Sequence, residues 1–577
     1  MCGVVAGSLN DHSTQFRELV NRSLVLMKHR GPDGNGIFLS ENNFIGHTLL
    51  SIFRIDANDQ PVVSNDKRFT ISFNGEIFNF NKLADRIGQS SENNYSEAKL
   101  ILDYYSKYKE KCLDFFDGFF AFVIYDSFEK SFFYARDRLG IKPLYFFYDG
   151  SNFLISSEIK VLLSFEINIG LNHEVFDEFL VFGNLSESKT FYHNILNLNP
   201  GYYGVFNVAD KKNKIFQWWK PFDYLNNDDS KLVYDIGKIE STLISSISEW
   251  SQSDVPLSIM QSGGVDSGLI NHFLSVSKDV SINAFTLVWD EQESNDEMER
   301  AIELCAKTNS SLSFVKTNPK SFIERIEPLT EFLSEPISDL NFVSLDILSS
   351  GISKEGFKVA ICGEGSDEIF AGYERHLQVS QNFRDDDDII LGNNFLSVNR
   401  LNYIHGKVIN VITDERRLRM RQYSSLDPIN KILMMDQLYF LPGYLKRQDH
   451  VGMKSSLEIR TPYLSHKLVE LVNGISGEKK ILNGELKHIL KRISSQYLPK
   501  DVVFKKKLRF NAPVSLRNSN LQQFFRKHVN SKSCLSNFFD MSKIEELNSE
   551  NFQLKPPGHE NTLQRFLFLE LFLRRFS

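Results

Sequence analysis

Apolar residues fall in short runs up to about residue 205 of the chain and in strand-loop-helix units beyond it. Phe69–Phe73, Leu113–Tyr125, Ser131–Tyr134, Tyr145–Tyr148 and Phe153–Ser156 are rich in aromatic and β-branched residues and are separated by turn-forming stretches. This pattern predicts antiparallel strands in layers with helices outside them. Asn199-Pro200-Gly201 predicts a turn leading into a last strand at Tyr202-Tyr203. The polar stretches Lys211–Lys214 and Asn226–Ser230 then predict a linker. Beyond them the apolar Val255–Met260 runs into Gln261-Ser262-Gly263-Gly264-Val265-Asp266-Ser267 and a helical segment, Gly268–Leu274. Near the C-terminus, Leu563–Leu573 reads as a helix facing the core. Asp385–Asp388 reads as a solvated acidic loop.

At 577 residues the chain is too long for one core, so two to four domains are expected. The formal charge of −7 comes without a basic stripe, which argues against a nucleic-acid partner. No apolar run approaches the roughly 18 residues of a membrane span, and no charged segment with an apolar core opens the chain. The expectation is a cytoplasmic protein with no membrane partner. The five cysteines, at 2, 112, 305, 362 and 534, form no CxxC or Cys/His metal spacing, and disulfides are uncommon in that compartment.

Only Cys2 has a chemical case. Removal of Met1 would leave a residue carrying both a thiol and an α-amine that titrates near neutrality and can act as its own general base. Asn74-Gly75, after the Phe69–Phe73 run, offers an amide and a backbone N–H suited to a tetrahedral oxyanion. In the second half, the Gly263-Gly264 turn before a helix lets backbone N–H groups and the helix N-terminus face an anion. It lacks the GxxxxGK(S/T) spacing of P-loop nucleotidases.

With Cys2, the sequence His29-Arg30-Gly31-Pro32-Asp33-Gly34, Asn74-Gly75-Glu76-Ile77-Phe78-Asn79, Ala135–Tyr145 and Ser157–Lys160 resembles the class II (N-terminal nucleophile) glutamine amidotransferases, and asparagine synthetases in particular. Ser262–Ser267 is similar to the pyrophosphate loop of ATP pyrophosphatases, and Ala360–Tyr373, Leu438–Asp449 and Ser455–Leu464 are similar to the synthetase domain of the same family. The resemblance implies an α/β and α+β two-domain chain. Residues 1–208 form a glutaminase with an Ntn-type αββα sandwich, 209–235 a linker, and 236–577 a Rossmann-like ATP-pyrophosphatase domain with a helical C-terminal part.

The resemblance also implies roles. Cys2, Asn74, Gly75, Glu364 and Lys487 are the expected catalytic residues; Leu50, Ile52, Asn74, Glu76 and Glu97 would hold glutamine. ATP would lie on Gln261, Ser262, Gly263, Gly264, Asp266, Ser267, Leu287, Cys362 and Gly363, with Asp266 and Asp367 binding Mg²⁺. The expected activity is an ATP-dependent carbon-nitrogen ligase that adenylates a carboxylate, aspartate by default, amidates it with ammonia from glutamine, and forms AMP and pyrophosphate. The oligomeric state stays open, with a homodimer as the candidate.

The chain also departs from the family pattern. The Arg that grips the glutamine carboxylate falls at Leu49, two residues after His47, and Arg54 lies five positions on, an odd offset that points to the opposite strand face. The Asp that holds the glutamine amine falls at Glu97. Asp449-His450, Tyr463-Leu464-Ser465 and Lys505–Phe510 replace the family's Asp-Arg, Phe-Leu-Asp and RxKxGF. These changes leave other acceptors open, a sugar carboxylate or a natural-product acid. An intramolecular amide former with a relic glutaminase is opposed by the intact Cys2 and Asn74-Gly75. A non-catalytic protein is opposed by the retained SGGVDS loop, Asp367 and Lys487.

Overall fold

The computed structural model describes residues 2–9, 16–53, 59–89, 95–165, 167, 169–186, 188–222, 234–278, 282–290, 296–383, 385–504, 519–549 and 559–576. Arg54, the polar run 226–230 and the basic segment 505–510 lie outside the described residues.

The N-terminal half is two six-stranded sheets. In order of hydrogen-bonded neighbours, one comprises Ile195–Asn197, Tyr145–Tyr148, Phe153–Ser156, Gly3–Ser8, Asn43–Leu49 and Gly34–Ser40. The other comprises Lys212–Gln217, Tyr202–Asn207, Ser131–Arg136, Gly118–Asp126, Phe69–Ile77 and Val62–Val63. Strand pairing within both is antiparallel. Alternation of side chains along the strands splits the apolar residues between layers. Val4, Ala6, Ile45, Val123, Tyr134 and Phe206 fill the space between the sheets. The second sheet's other face, with Phe73 and Phe122, packs on the helix Glu97–Tyr108. The first sheet's outer face, with Val5 and Phe44, meets helical residues Leu24, Leu162 and Phe179.

Three local expectations give way to the structure. The Phe69 strand does not stop at Phe73 but runs through Asn74, Gly75 and Glu76 to Ile77. It continues because a Cβ on Gly75 would lie 2.1 Å from the Phe119 carbonyl of the next strand, so only glycine permits the approach. Within the Leu113–Tyr125 run the strand begins only at Gly118, after a 3₁₀ turn, Lys109–Phe115. Lys211–Lys214 is not linker: Lys212–Gln217 pairs along the whole of Tyr202–Asn207 as the sheet's edge strand, and its lysines suit an edge exposed to water.

The C-terminal half is built on a five-stranded, all-parallel sheet in the order Ser311–Thr317, Asn283–Trp289, Leu257–Met260, Val359–Ile361 and Glu458–Arg460. Ile259, Ala284 and Ile361 pack with the helices Ile236–Trp250 and Val265–Lys278 on one face. Met260, Phe285 and Ala360 pack with residues of Asn341–Lys354 and Leu441–Lys454 on the other. Chain order reverses between Leu257–Met260 and Val359–Ile361, so the loops leaving these two neighbours open a crevice at the carboxyl edge of the sheet. Helix His559–Leu573 is buried on every face from Thr562 to Leu573, as a core helix should be. Among the described residues no helix is long and apolar enough to cross a membrane. Asp385–Asp388 is no loop: Asp385 caps the helix Asp386–Leu391 by accepting from the Asp388 N–H at 2.9 Å, and Asp386 and Asp387 pair with Lys431 and Arg417.

Candidate functional site

Cys2 stands immediately before the strand Gly3–Ser8, which pairs with a neighbour on each side, so its backbone is fixed by the middle of a sheet. Its N–H donates to Asn74 Oδ1 at 2.9 Å across the sandwich. Asn74 is fully buried and its Nδ2 has no hydrogen-bond partner among the described residues. An unmatched amide donor beside a thiol is the geometry an oxyanion hole requires. Burial pushes the Cys2 thiol up, while the backbone N–H of Leu50 reaches its sulfur and pulls the other way. Arg30 holds Cys2 from behind, its Nε donating to the Cys2 carbonyl at 3.1 Å.

Leu50 and Ile52 follow the strand that ends at Leu49 and pack on Val359 and Met453 of the C-terminal half. Glu76, Glu97 and Glu458 gather around the Arg460 guanidinium. Glu458 takes Arg460 Nε at 2.5 Å, Glu76 lies 3.4 Å from Nη2, and Glu97 accepts from the Ile77 N–H at 2.5 Å. Three buried carboxylates share one guanidinium and cannot all ionise cheaply. Burial raises Glu76 to about 7, and burial together with Glu76 holds Glu97 well above the usual range. Burial lowers the neighbouring His47 to about 3, so its imidazole is neutral. The side chain at Leu49 supplies no charge.

In the crevice of the parallel sheet the Gln261–Ser267 loop is tied by its own side chains. Ser267 Oγ takes Gln261 Nε2 at 3.1 Å and the Ser262 N–H at 3.2 Å. Gly263 has φ +71°, and a Cβ there would lie 2.5 Å from the Glu297 carbonyl. Lys487, in a left-handed conformation just ahead of helix His488–Ser494, brings its Nζ 2.7 Å from both oxygens of Asp266, 2.8 Å from Asp367 Oδ1 and 2.8 Å from Ser366 Oγ. Burial pulls this ammonium down, but the two aspartates outweigh it and hold its pKa above the ordinary lysine value. Gly372 makes the approach, since a Cβ there would lie 1.8 Å from Asp367 Oδ1 and 2.2 Å from Lys487 Cε. Gly363 backs Asp266, Cys362 Sγ accepts from Gln448 at 3.2 Å, and Tyr444 donates to Glu364 at 3.4 Å. Leu287 lies on the neighbouring strand, two residues beyond Phe285, the register partner of Met260.

The predicted residues thus converge on two sites, and one helix, Leu441–Lys454, serves both. Its Tyr444 and Gln448 reach Glu364 and Cys362, while Asp449 accepts from Arg30 at 2.7 Å and from Lys142 at 3.3 Å. In the sequence, Arg30 and Asp449 stand within the matched segments with no role of their own. Their pairing joins positions 419 residues apart, and no local signal could have shown it.

Residues 238–574 match the family model for asparagine synthase, and residues 1–219 that for a glutamine amidotransferase domain. The chain belongs to the asparagine synthase family. Membership makes it a glutamine-dependent, amide-forming ligase. Asparagine synthetase (glutamine-hydrolyzing) 1 of Bacillus subtilis strain 168 is 26% identical over 562 residues, covering 89% of this chain and 87% of that protein. Asparagine synthetase (glutamine-hydrolyzing) 3 of the same organism is 27% identical over 544 residues, covering 88% and 86%. Amidase chry2 of Gibberella zeae is 26% identical over 385 residues, covering 63% of this chain and 57% of that protein.

Proposed function

We propose that this chain hydrolyses glutamine at Cys2 and uses the ammonia to amidate a carboxylate that its C-terminal domain has activated as an acyl-adenylate. The carrying observation is the pair of prepared sites joined by one helix: Cys2 beside an unmatched Asn74 amide, and Asp266, Asp367 and Lys487 clustered at the crevice of the parallel sheet. In this reading the domains divide within 209–235.

With Met1 removed, the freed α-amine of Cys2 takes the thiol proton while staying on Asn74 Oδ1. Asn74 Nδ2 and the Gly75 N–H hold the oxyanion, ammonia leaves, and water releases glutamate from the thioester. Glu76 and Glu97 face the glutamine amine, and Leu50 and Ile52 line the rest. In the second site the Gln261–Ser267 loop cradles the ATP phosphates, with Leu287, Cys362 and Gly363 around the nucleotide. Lys487 offsets negative charge in adenylation, and Glu364 meets the incoming ammonia.

Asp266 and Asp367 suit Mg²⁺, which binds through one or two carboxylates and completes its shell with phosphate oxygens and water. The two carboxylates already converge on one cation, the Lys487 ammonium. Among the described residues no group of three or more His, Cys, Asp or Glu is arranged to hold a metal unaided, consistent with a site completed by the polyphosphate. Mg²⁺ bound there would neutralise phosphate charge.

Aspartate is the default acceptor. A different carboxylate is a second reading, favoured by His450 and Ser465. His450 is buried, lowered to about 4 chiefly by burial, and spends its Nε2 on the Ser157 carbonyl; Ser465 Oγ is buried without a partner among the described residues. The test is pyrophosphate release across candidate carboxylates with either glutamine or ammonium. Cys2→Ala should abolish only glutamine-driven turnover, and Asp266→Ala should abolish both. Wild-type turnover in Asp266→Ala would refute the adenylating reading.

A further inference from the structure

Outside both sites, a cavity of about 80 Å³ lies where the two halves meet, walled by Arg138, Lys189 and Tyr202 from one and by Arg419, Lys446 and Arg447 from the other. One water occupies roughly 10–15 Å³ on this measure, so the space takes several waters or one small oxyanion. Its wall carries five cations against two carboxylates, Glu335 and Glu415. Those carboxylates are committed: Glu335 lies 2.8 Å from Lys446 Nζ and accepts from the Tyr145 hydroxyl at 3.2 Å, and Glu415 lies 3.8 Å from Arg419.

Arg447 and Arg138 feel Glu335 and Asp117 only at longer range, with Arg138 also lying 4.8 Å over the Trp218 ring. Both are more than nine-tenths buried, at 4% and 8% exposure. Neither has a carboxylate in ion-pair range among the described residues. Arg447 donates to its own helix at the Gly443 carbonyl, 3.3 Å away, and Arg138 to the Phe116 carbonyl at 2.6 Å; the Nε of each has no partner. A buried guanidinium with no anion in contact is costly, and its fork of N–H donors matches the oxygens of a phosphate or carboxylate. Several cations around one small space select for more than a single negative charge.

We propose that this cavity binds a small phosphate-class oxyanion, inorganic phosphate or the phosphate group of a metabolite, at a place separate from the ATP loop and from Cys2. Lys446 and Arg447 sit on the same helix as Tyr444, Gln448 and Asp449, so the bound anion touches the element that both active sites share.

Isothermal titration calorimetry of the full chain at fixed ionic strength tests this with phosphate, glycerol phosphate, malonate and chloride as titrants. Phosphate should bind saturably, with malonate at least about tenfold weaker and chloride silent; saturable binding of glycerol phosphate marks a metabolite's phosphate group as the occupant, and its silence marks inorganic phosphate. The double variant Lys189→Ala/Arg419→Ala, at the rim, should weaken phosphate binding by about tenfold or more. Ser262→Ala, in the ATP loop, should leave it unchanged. Arg447→Gln, judged only if its circular dichroism matches wild type, should abolish it. Absence of saturable phosphate binding, equal binding of malonate, unchanged affinity in the rim variant, or loss in Ser262→Ala would each overturn the proposal.

Discussion

At the scale of single residues, the pocket proposed for glutamine is electrically unusual. In the proposed reading Leu49 stands where the resemblance implies an Arg gripping the glutamine carboxylate, and a hydrogen bond to a charged group is worth about 1.5–3 kcal/mol. Leu49→Arg should therefore lower the KM for glutamine by roughly tenfold to a hundredfold, with ammonium-driven rates unchanged; initial-rate kinetics with each donor check this. Glu76 gives a pH signature. Burial raises its pKa to about 7, so below that pH it is largely protonated and cannot pair with the glutamine ammonium. The KM for glutamine should fall as pH rises through 7, and Glu76→Gln should flatten that dependence while raising KM throughout. A KM for the wild type that is flat between pH 6 and 8 would exclude Glu76 as the amine's partner.

At the scale of elements, the sites depend on glycines that let backbone and side chains come close. Gly372→Ala would place a methyl 1.8 Å from Asp367 Oδ1 and 2.2 Å from Lys487 Cε, which must separate the pair. Pyrophosphate release should fall by roughly a hundredfold or more, as for loss of one preorganised electrostatic group, while glutamine hydrolysis at Cys2 persists. Much of this architecture was legible in the sequence. Val255–Met260, the glycine turn of the SGGVDS loop and the following helix read correctly as secondary structure because a strand, a tight turn and a helix start are all specified locally. The failures share a cause. Lys211–Lys214 read as linker because an edge strand facing water carries a polar sequence, and Asp385–Asp388 read as a loop because the ion pairs that hold its helix depend on the distant Arg417 and Lys431. The cluster of Glu76, Glu97, Glu458 and Arg460 was invisible, since its members come from both halves of the chain.

At the scale of the whole molecule, Asp449 couples the halves. Burial pushes its carboxyl up, but Arg30 and Lys142 outweigh burial and hold it below the usual range. A depressed carboxyl contributes stability that is present above its unfolded value near about 4 and is lost as pH falls through its folded value. Asp449→Asn should remove that acid-side contribution, strip Lys142 of its carboxylate and leave Arg30 with Glu158 alone, costing about 3–5 kcal/mol. A lower thermal midpoint, with more glutamine hydrolysed per amide formed, is the expected result of calorimetry and product counting.

The Arg30–Asp449 contact also carries a clock. Asp449 is made 419 residues after Arg30, which at synthesis rates of about 5–20 residues per second is a wait of roughly 20–85 s. During that interval the nascent N-terminal half has Cys2, Asn74 and the Arg30–Glu158 pair but lacks the second anion behind Cys2. In the proposed reading the helix that brings this anion belongs to the half that would consume ammonia, so the order of translation would leave the support behind Cys2 incomplete until its outlet is being made.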